Sequence, residues 1–166
     1  MWGLNLVVAT ASRADPAEWV GRRVGMTVPA FSTDVAVRWS DMDLYGHVNN
    51  ARVVTLLEEA RTELLFGEGA RRGAEGLTRG VVVVKLEVRY RQPLVYSTTP
   101  VRVRLWVSEL RAASFTVEYV VSTGDGAEAV TARTWLAPYD TEAHRPRRLL
   151  PVEREFLAAF REGHDG

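Results

Sequence analysis

The 166-residue sequence contains no cysteine. That removes disulfides, thiolate nucleophiles and thiol-ligated metals together, and it fits a cytoplasmic protein. Lysine is almost missing too, since of 21 basic residues only Lys85 is lysine. Arginine suits bidentate phosphate binding, although a codon preference for arginine accounts for the bias equally well. Basic and acidic residues balance at 21 each, so no global field draws the chain to nucleic acid or to an anionic membrane. No apolar run approaches the roughly 20 residues that span a bilayer. A short apolar piece near the start, Leu4 to Ala9, has no basic residue before it, so a signal peptide is not expected. Internal repeats and low-complexity segments are also missing.

What is present is an ordinary globular composition, 46% hydrophobic and 25% charged, of a length that makes one domain. Residues 1–26 follow neither the strand nor the helix period. Asp15 and Pro16 could open one helical turn there, and the segment reads as a poorly ordered extension ahead of a domain over 27–166. Residues 31–39 alternate, with Phe31, Thr33, Val35, Val37 and Trp39 on one face, which predicts a strand. Residues 50–67 predict an amphipathic helix carrying Val53, Leu56, Leu57, Ala60 and Leu64, ended by Gly67 and Gly69. Residues 71–78 read as a loop or short irregular turn. Four strands follow: 81–91, stopped by Pro93; 101–108; 115–121; and 127–138, the last entered through a Gly124-Asp125-Gly126 hairpin turn. A short helix over 152–161 closes the chain, with Val152, Phe156, Leu157 and Phe160 as its apolar side. Short connections make the sheet antiparallel. One long helix covers one face of it. The other face needs a different cover, and a second subunit is the simplest.

The densest chemistry lies between the first strand and the long helix. Asp41, Asp43, Gly46, His47, Asn49 and Asn50 fall within ten residues. A carboxylate just ahead of a helix N-terminus stands beside backbone N–H groups that have no helical partner. Cleavage of an acyl bond needs those two things, a base or nucleophile at the carbonyl and donors for the oxyanion that develops. Asp43 can equally serve as a cap for the turn, which is also the role read for Asp41.

The run Trp39-Ser40-Asp41-Met42-Asp43-Leu44-Tyr45-Gly46-His47-Val48-Asn49-Asn50, with Leu57-Glu58-Glu59-Ala60-Arg61 in the helix and Tyr90-Arg91-Gln92-Pro93 at a strand end, resembles the hotdog-fold acyl-CoA thioesterases. The similar branch is the 4-hydroxybenzoyl-CoA thioesterase-like group, which includes bacterial long-chain acyl-CoA thioesterases. The resemblance covers roughly residues 30–140. It implies an α+β hotdog fold, a five-stranded antiparallel sheet wrapped around one long helix. It further implies hydrolysis of acyl-CoA by homodimers or homotetramers, with active sites between subunits and neither metal nor organic cofactor. Within it, Asp43 is the carboxylate, and backbone N–H groups over about Asn49 to Ala51 polarise the thioester carbonyl. The chain departs from the family at Val53, where a tyrosine is common.

Other residues have roles open to them in such a site. Gly46 lets the backbone take a positive φ or approach the substrate. His47 either bonds the substrate or packs in its loop. Asn49 and Asn50 suit a helix start, and the Asn50 side chain could orient the attacking water. Glu58 competes with Asp43, since another hotdog branch places its carboxylate on the helix. Eight residues past Asn50, it stands about 12 Å along the axis at roughly 1.5 Å per residue, too far for a carbonyl held at that helix's start. Glu59 is a weaker competitor. Arg89 and Arg91 could meet CoA phosphates, as could Arg102 and Arg104, or they form a solvated sheet face. Tyr45 in the loop could touch substrate, whereas Trp39, Trp106 and Trp135 read as core or interface. A hotdog hydratase or dehydratase lacks its motifs here, and a catalytically silent acyl-CoA binder is the other alternative.

Overall fold

A computed structural model of the chain describes residues 30–161. The expected extension over 1–26 lies outside the described residues.

Strand β1 spans Phe31–Val35 and gives way to a 3-10 turn, Trp39–Asp41. Helix α1, Asn50–Thr62, runs on through a π-helical segment, Glu63–Glu68, and a last turn α2, Gly69–Arg71. A second 3-10 turn, Glu75–Arg79, leads into β2, Val81–Tyr90. The long strands β3, Val101–Leu110, β4, Phe115–Ser122, and β5, Glu128–Asp140, follow, then a two-residue strand β6, Arg145–Pro146, and helix α3, Pro151–Ala158. Every pairing in the sheet is antiparallel, in the order β1-β3-β4-β5-β2, with β6 on the end of β5.

The period-two pattern explains the core. Val103, Leu105 and Val107 on β3, Val117, Tyr119 and Val121 on β4, and Val130, Ala132 and Leu136 on β5 face one way and are buried. Against them lie Val53, Leu56, Leu57, Ala60 and Leu64 from the helix. Each fully buried leucine or valine contributes roughly 1.5–3 kcal/mol relative to exposure, so this single stripe holds the helix on the sheet. The opposite face is polar. Glu118 of β4 pairs with Arg133 of β5, and Lys85 of β2 stands 4.5 Å above the Trp135 ring. Phe156, Leu157 and Phe160 of the α3 region close one end of the core.

Several boundaries differ from the sequence expectation. The first strand stops at Val35 rather than at residue 39, because the Asp41 carboxylate accepts the Arg38 N–H at 2.8 Å and bends the chain. Trp39 is thereby 75% exposed, set edge-on to Tyr96. Gly67 and Gly69 do not end the long helix. Gly69 keeps helical angles and is buried against Phe156, and the stop falls at Gly73 with φ +77°. Of the two forms open to residues 71–78, a loop or a short turn, the structure has a 3-10 turn over 75–79. In β2 the register slips between Val83 and Lys85, and Val84 lies 67% exposed. The last helix starts at Pro151 and leaves Val152 exposed. No helix among the described residues is long and apolar enough to cross a membrane.

Candidate active site

Residues 41–49 close on themselves as a small hairpin. Met42 and Val48 form an antiparallel bridge, the Asp43 N–H donates to the His47 carbonyl at 2.7 Å, and the Asn49 N–H donates to the Asp41 carbonyl at 2.8 Å. At the tip the Gly46 N–H reaches the Asp43 carbonyl at 3.2 Å, and Gly46 takes φ +76°, a left-handed angle that glycine adopts without strain. Leu44 and Tyr45 are carried out into solvent, Tyr45 at 85% exposure. The hairpin is anchored to the sheet through Val48, whose N–H donates at 2.7 Å to the carbonyl of Leu94, just past the end of β2.

Asp41 and Asp43 sit differently in this hairpin. Asp41 is buried, holds the Arg38 N–H and lies 3.8 Å from Arg52 Nε, which fits the structural role expected of it. Asp43 uses Oδ1 to accept two backbone donors, the Tyr45 N–H at 2.8 Å and the His47 N–H at 3.1 Å. No hydrogen bond to Oδ2 is present among the described residues. One oxygen therefore fixes the carboxylate in an Asx-type turn.

The start of α1 shows a similar division. Asn49 is the N-cap, its Oδ1 accepting the Ala51 N–H at 2.9 Å, and its carbonyl accepts the Val53 N–H at 3.0 Å. The Asn49 N–H is already held by Asp41. Of the three amides over 49–51, that of Asn50 alone has no acceptor among the described residues.

Asp43 and Asn50 line one cleft of ≈ 400 Å³ together with His47, Tyr90, Arg91 and Gln92. Its apolar wall is made by Val48, Val53, Leu94 and Val130. The Tyr90 hydroxyl donates to the Asn50 carbonyl at 3.3 Å, and burial of the phenol raises its pKa above the usual tyrosine value. Arg91 approaches Glu128 only at 4.0 Å. A second, smaller cavity lies by Arg79, Tyr139 and Arg147, at the other end of β2.

Thus Asp43, His47, Asn50 and Arg91 come together as the sequence suggested, with Gly46 shaping the turn and Asn49 capping the helix. Tyr45 sits at the exposed tip and Ala51 is exposed with its amide occupied. Glu58 is exposed, 3.7 Å from Arg61, and Glu59 lies 3.5 Å from Arg38, so neither lines the cleft. Arg89 is half-buried opposite Thr131 and does not line it either. Arg102 pairs with Asp34 at 2.9 Å. Tyr90, Gln92, Leu94 and Val130 were not assigned to the site from sequence. Tyr90 and Gln92 belong to the Tyr90-Arg91-Gln92-Pro93 run at the strand end, but Leu94 and Val130 reach the cleft only through folding.

The model of the thioesterase-like superfamily matches residues 37–160, most of the chain and all of this site. The chain belongs to that superfamily. A thioesterase from Thermus thermophilus, solved in complex with coenzyme A and zinc, is 28% identical and superposes with a TM-score of 0.67 over 81% of this chain and 97% of that one. The probable thioesterase YbaW of Escherichia coli is 27% identical, with a TM-score of 0.64 over 78% of this chain and 97% of that one. The long-chain acyl-CoA thioesterase FadM of Escherichia coli is 38% identical over 65 residues, 39% of this chain. That match spans about half of the curated relative, 49% of its length. The superfamily fold agrees with the hotdog architecture expected from the sequence, a curled antiparallel sheet around one long helix.

Proposed function

We propose that this protein is an acyl-CoA thioesterase that hydrolyses its substrate to a free acid and CoA, and that Asp43 and the Asn50 amide carry the reaction. One observation supports this above the others: a carboxylate with one unoccupied oxygen and an unpartnered helix N-terminal N–H line the same cleft. The thioester carbonyl accepts the Asn50 N–H. Asp43 Oδ2 takes a proton from water as the water oxygen bonds to the carbonyl carbon. The tetrahedral oxyanion is held at the helix start, where one donor is typically worth about 2.7–4 kcal/mol. Collapse breaks the C–S bond and releases the CoA thiolate. In the alternative course, Oδ2 bonds to the carbonyl carbon directly, the C–S bond breaks to release the CoA thiolate, and water hydrolyses the resulting mixed anhydride to the free acid and the Asp43 carboxylate.

Arg91 stands at the mouth of the cleft with a long, weak ion pair, which suits a CoA phosphate. His47 and Asn50 line the same cleft, and in this reading their side chains hold the attacking water. A homo-oligomer belongs to the same reading. Strand β2 is a ten-residue sheet edge with Val82, Val83 and Val84 exposed, and a second copy adding its own β2 would cover them. A cytoplasmic location is part of this reading.

A panel of acyl-CoAs with free-thiol detection tests the activity. Thiol release from at least one chain length is expected, and binding without release from any of them would sink the enzyme reading. Asp43→Asn should lower kcat by about 10²–10⁴, the usual range for a general base, while the melting temperature stays close to wild type. A wild-type rate in that variant moves the carboxylate role elsewhere, to Glu58 first. Single-turnover hydrolysis in labelled water separates the two routes, since only direct attack leaves the label in the Asp43 carboxylate.

A further inference from the structure

The last residue of β2 reaches across to the first turn of α1, a contact between segments 40 residues apart. It joins the Tyr90 hydroxyl to the carbonyl of Asn50. That carbonyl shares a peptide plane with the Ala51 N–H, which the Asn49 side chain holds from the other side. The preceding plane, with the Asn49 carbonyl and the Asn50 N–H, is held at its carbonyl by Val53. Both peptide planes at Asn50 are therefore fixed by partners outside Asn50 itself, and the remaining direction open to the Asn50 amide is set by them.

We propose that Tyr90 is a positioning residue for the oxyanion donor: its hydroxyl holds the Asn50–Ala51 peptide through the Asn50 carbonyl, and with the Asn49–Asn50 peptide held by Val53 this fixes the Asn50 backbone so that its N–H meets the developing oxyanion. The inference rests on the thioesterase reading for its consequence and on geometry for its substance. A tyrosine keeps its proton at neutral pH, and with it the donor role; the partial burial of Tyr90 raises its pKa further in the same direction. Tyr90 touches no reacting atom in this scheme. Its effect passes through Asn50 and falls on kcat, because the oxyanion exists only after substrate has bound. At 3.3 Å the bond is longer than the usual O–H···O distance of about 2.7–2.8 Å, which sets the expected effect at a few-fold.

Tyr90→Phe keeps the ring and removes the hydroxyl. With whichever acyl-CoA the wild type hydrolyses fastest, kcat should fall about five-fold, the size of one neutral hydrogen bond, while KM stays within about two-fold. In the same variant the backbone amide resonance of Asn50 should shift and its hydrogen exchange quicken. Tyr96→Phe, which alters an exposed tyrosine away from the cleft, serves as the control and should change neither. Unchanged kcat overturns the proposal. So does a loss confined to KM, or a fall in kcat with the Asn50 amide unmoved, since either would make Tyr90 a substrate contact. If the wild type releases no thiol from any acyl-CoA, the thioesterase reading fails by itself. The Asn50 amide then decides the tie alone, a shift upholding it and an unmoved signal overturning it.

Discussion

Two backbone N–H groups on Oδ1 of Asp43 hold that carboxylate in one rotamer, and Gly46 makes the geometry possible. The Gly46 N–H closes the turn onto the Asp43 carbonyl at φ +76°, and a Cβ added there would meet nothing within 4 Å. The cost of a side chain at this position is thus backbone strain alone, about 1–2 kcal/mol for a residue other than glycine. Gly46→Ala should lower the melting temperature by roughly 2–6 °C for a protein of this size. It should lower kcat further than stability alone explains, because the turn that loosens is the one that aims Oδ2. Gly46→Asn should recover part of both losses, since asparagine tolerates left-handed angles. Equal stability in all three proteins would show that the turn carries no such demand. Asp43, His47 and Asn50 stand out in the sequence because polar side chains and glycine cluster at a strand-to-helix junction, and their assignment to a site rests on the resemblance of that run to the hotdog thioesterases. Which amide stays open was not legible. That depends on the Asn49 side chain capping Ala51 and on the Asp41 carbonyl taking the Asn49 N–H, choices made by hydrogen-bond geometry.

At the level of elements, the alternating strands gave away their own buried faces, whereas the turns between them answered to distant partners. Gly67 and Gly69 look like a helix stop. Yet Phe156 from the far end of the chain packs on Gly69, and the helix continues over it. The second 3-10 turn is held in the same long-range way. Arg147 donates to the Gly76 carbonyl at 2.8 Å and makes a bidentate pair with Glu153, at 2.8 and 2.7 Å. Glu153 is fully buried and also accepts the Leu150 N–H at the start of α3. A Cβ at Gly76 would overlap the Glu153 carboxylate, so this turn and α3 lock together. Removing one partner of a buried pair strands the other, typically at about 3–5 kcal/mol. Because Arg147 keeps some access to water, Glu153→Ala should cost about 3 kcal/mol, the low end of that range. Urea unfolding at neutral pH measures it. A loss below about 1 kcal/mol would mean that Arg147 finds water as good a partner as Glu153.

For the whole molecule, the question is what covers β2. Among the described residues the sheet has two edges, and β1, at five residues, is the shorter, with Asp34 and Arg102 paired across it. Strand β2 is twice as long, and the side that no described strand covers presents backbone groups beside exposed valines. Exposed edges of that kind invite pairing, and natural proteins blunt them with charge, proline or a bulge unless pairing is their purpose. The register slip at Val84 is such a bulge, but the four consecutive valines around it carry no charge until Lys85. A bulge at the end of an apolar half-edge, followed by Lys85, Glu87 and Arg89, favours one register over open-ended stacking, which is what a closed dimer requires. Val84→Lys places a charge on that edge at a position 67% exposed in the single chain. The fold of each chain should therefore be little affected. Light scattering should report a wild-type dimer or tetramer at micromolar concentration and a smaller species for the variant. A wild-type monomer, or a variant of unchanged mass, would rule out pairing through β2. If the cleft lies between subunits, thiol release falls with the mass. If it does not, Asp43 and Asn50 work within one chain, and dissociation leaves kcat where it was.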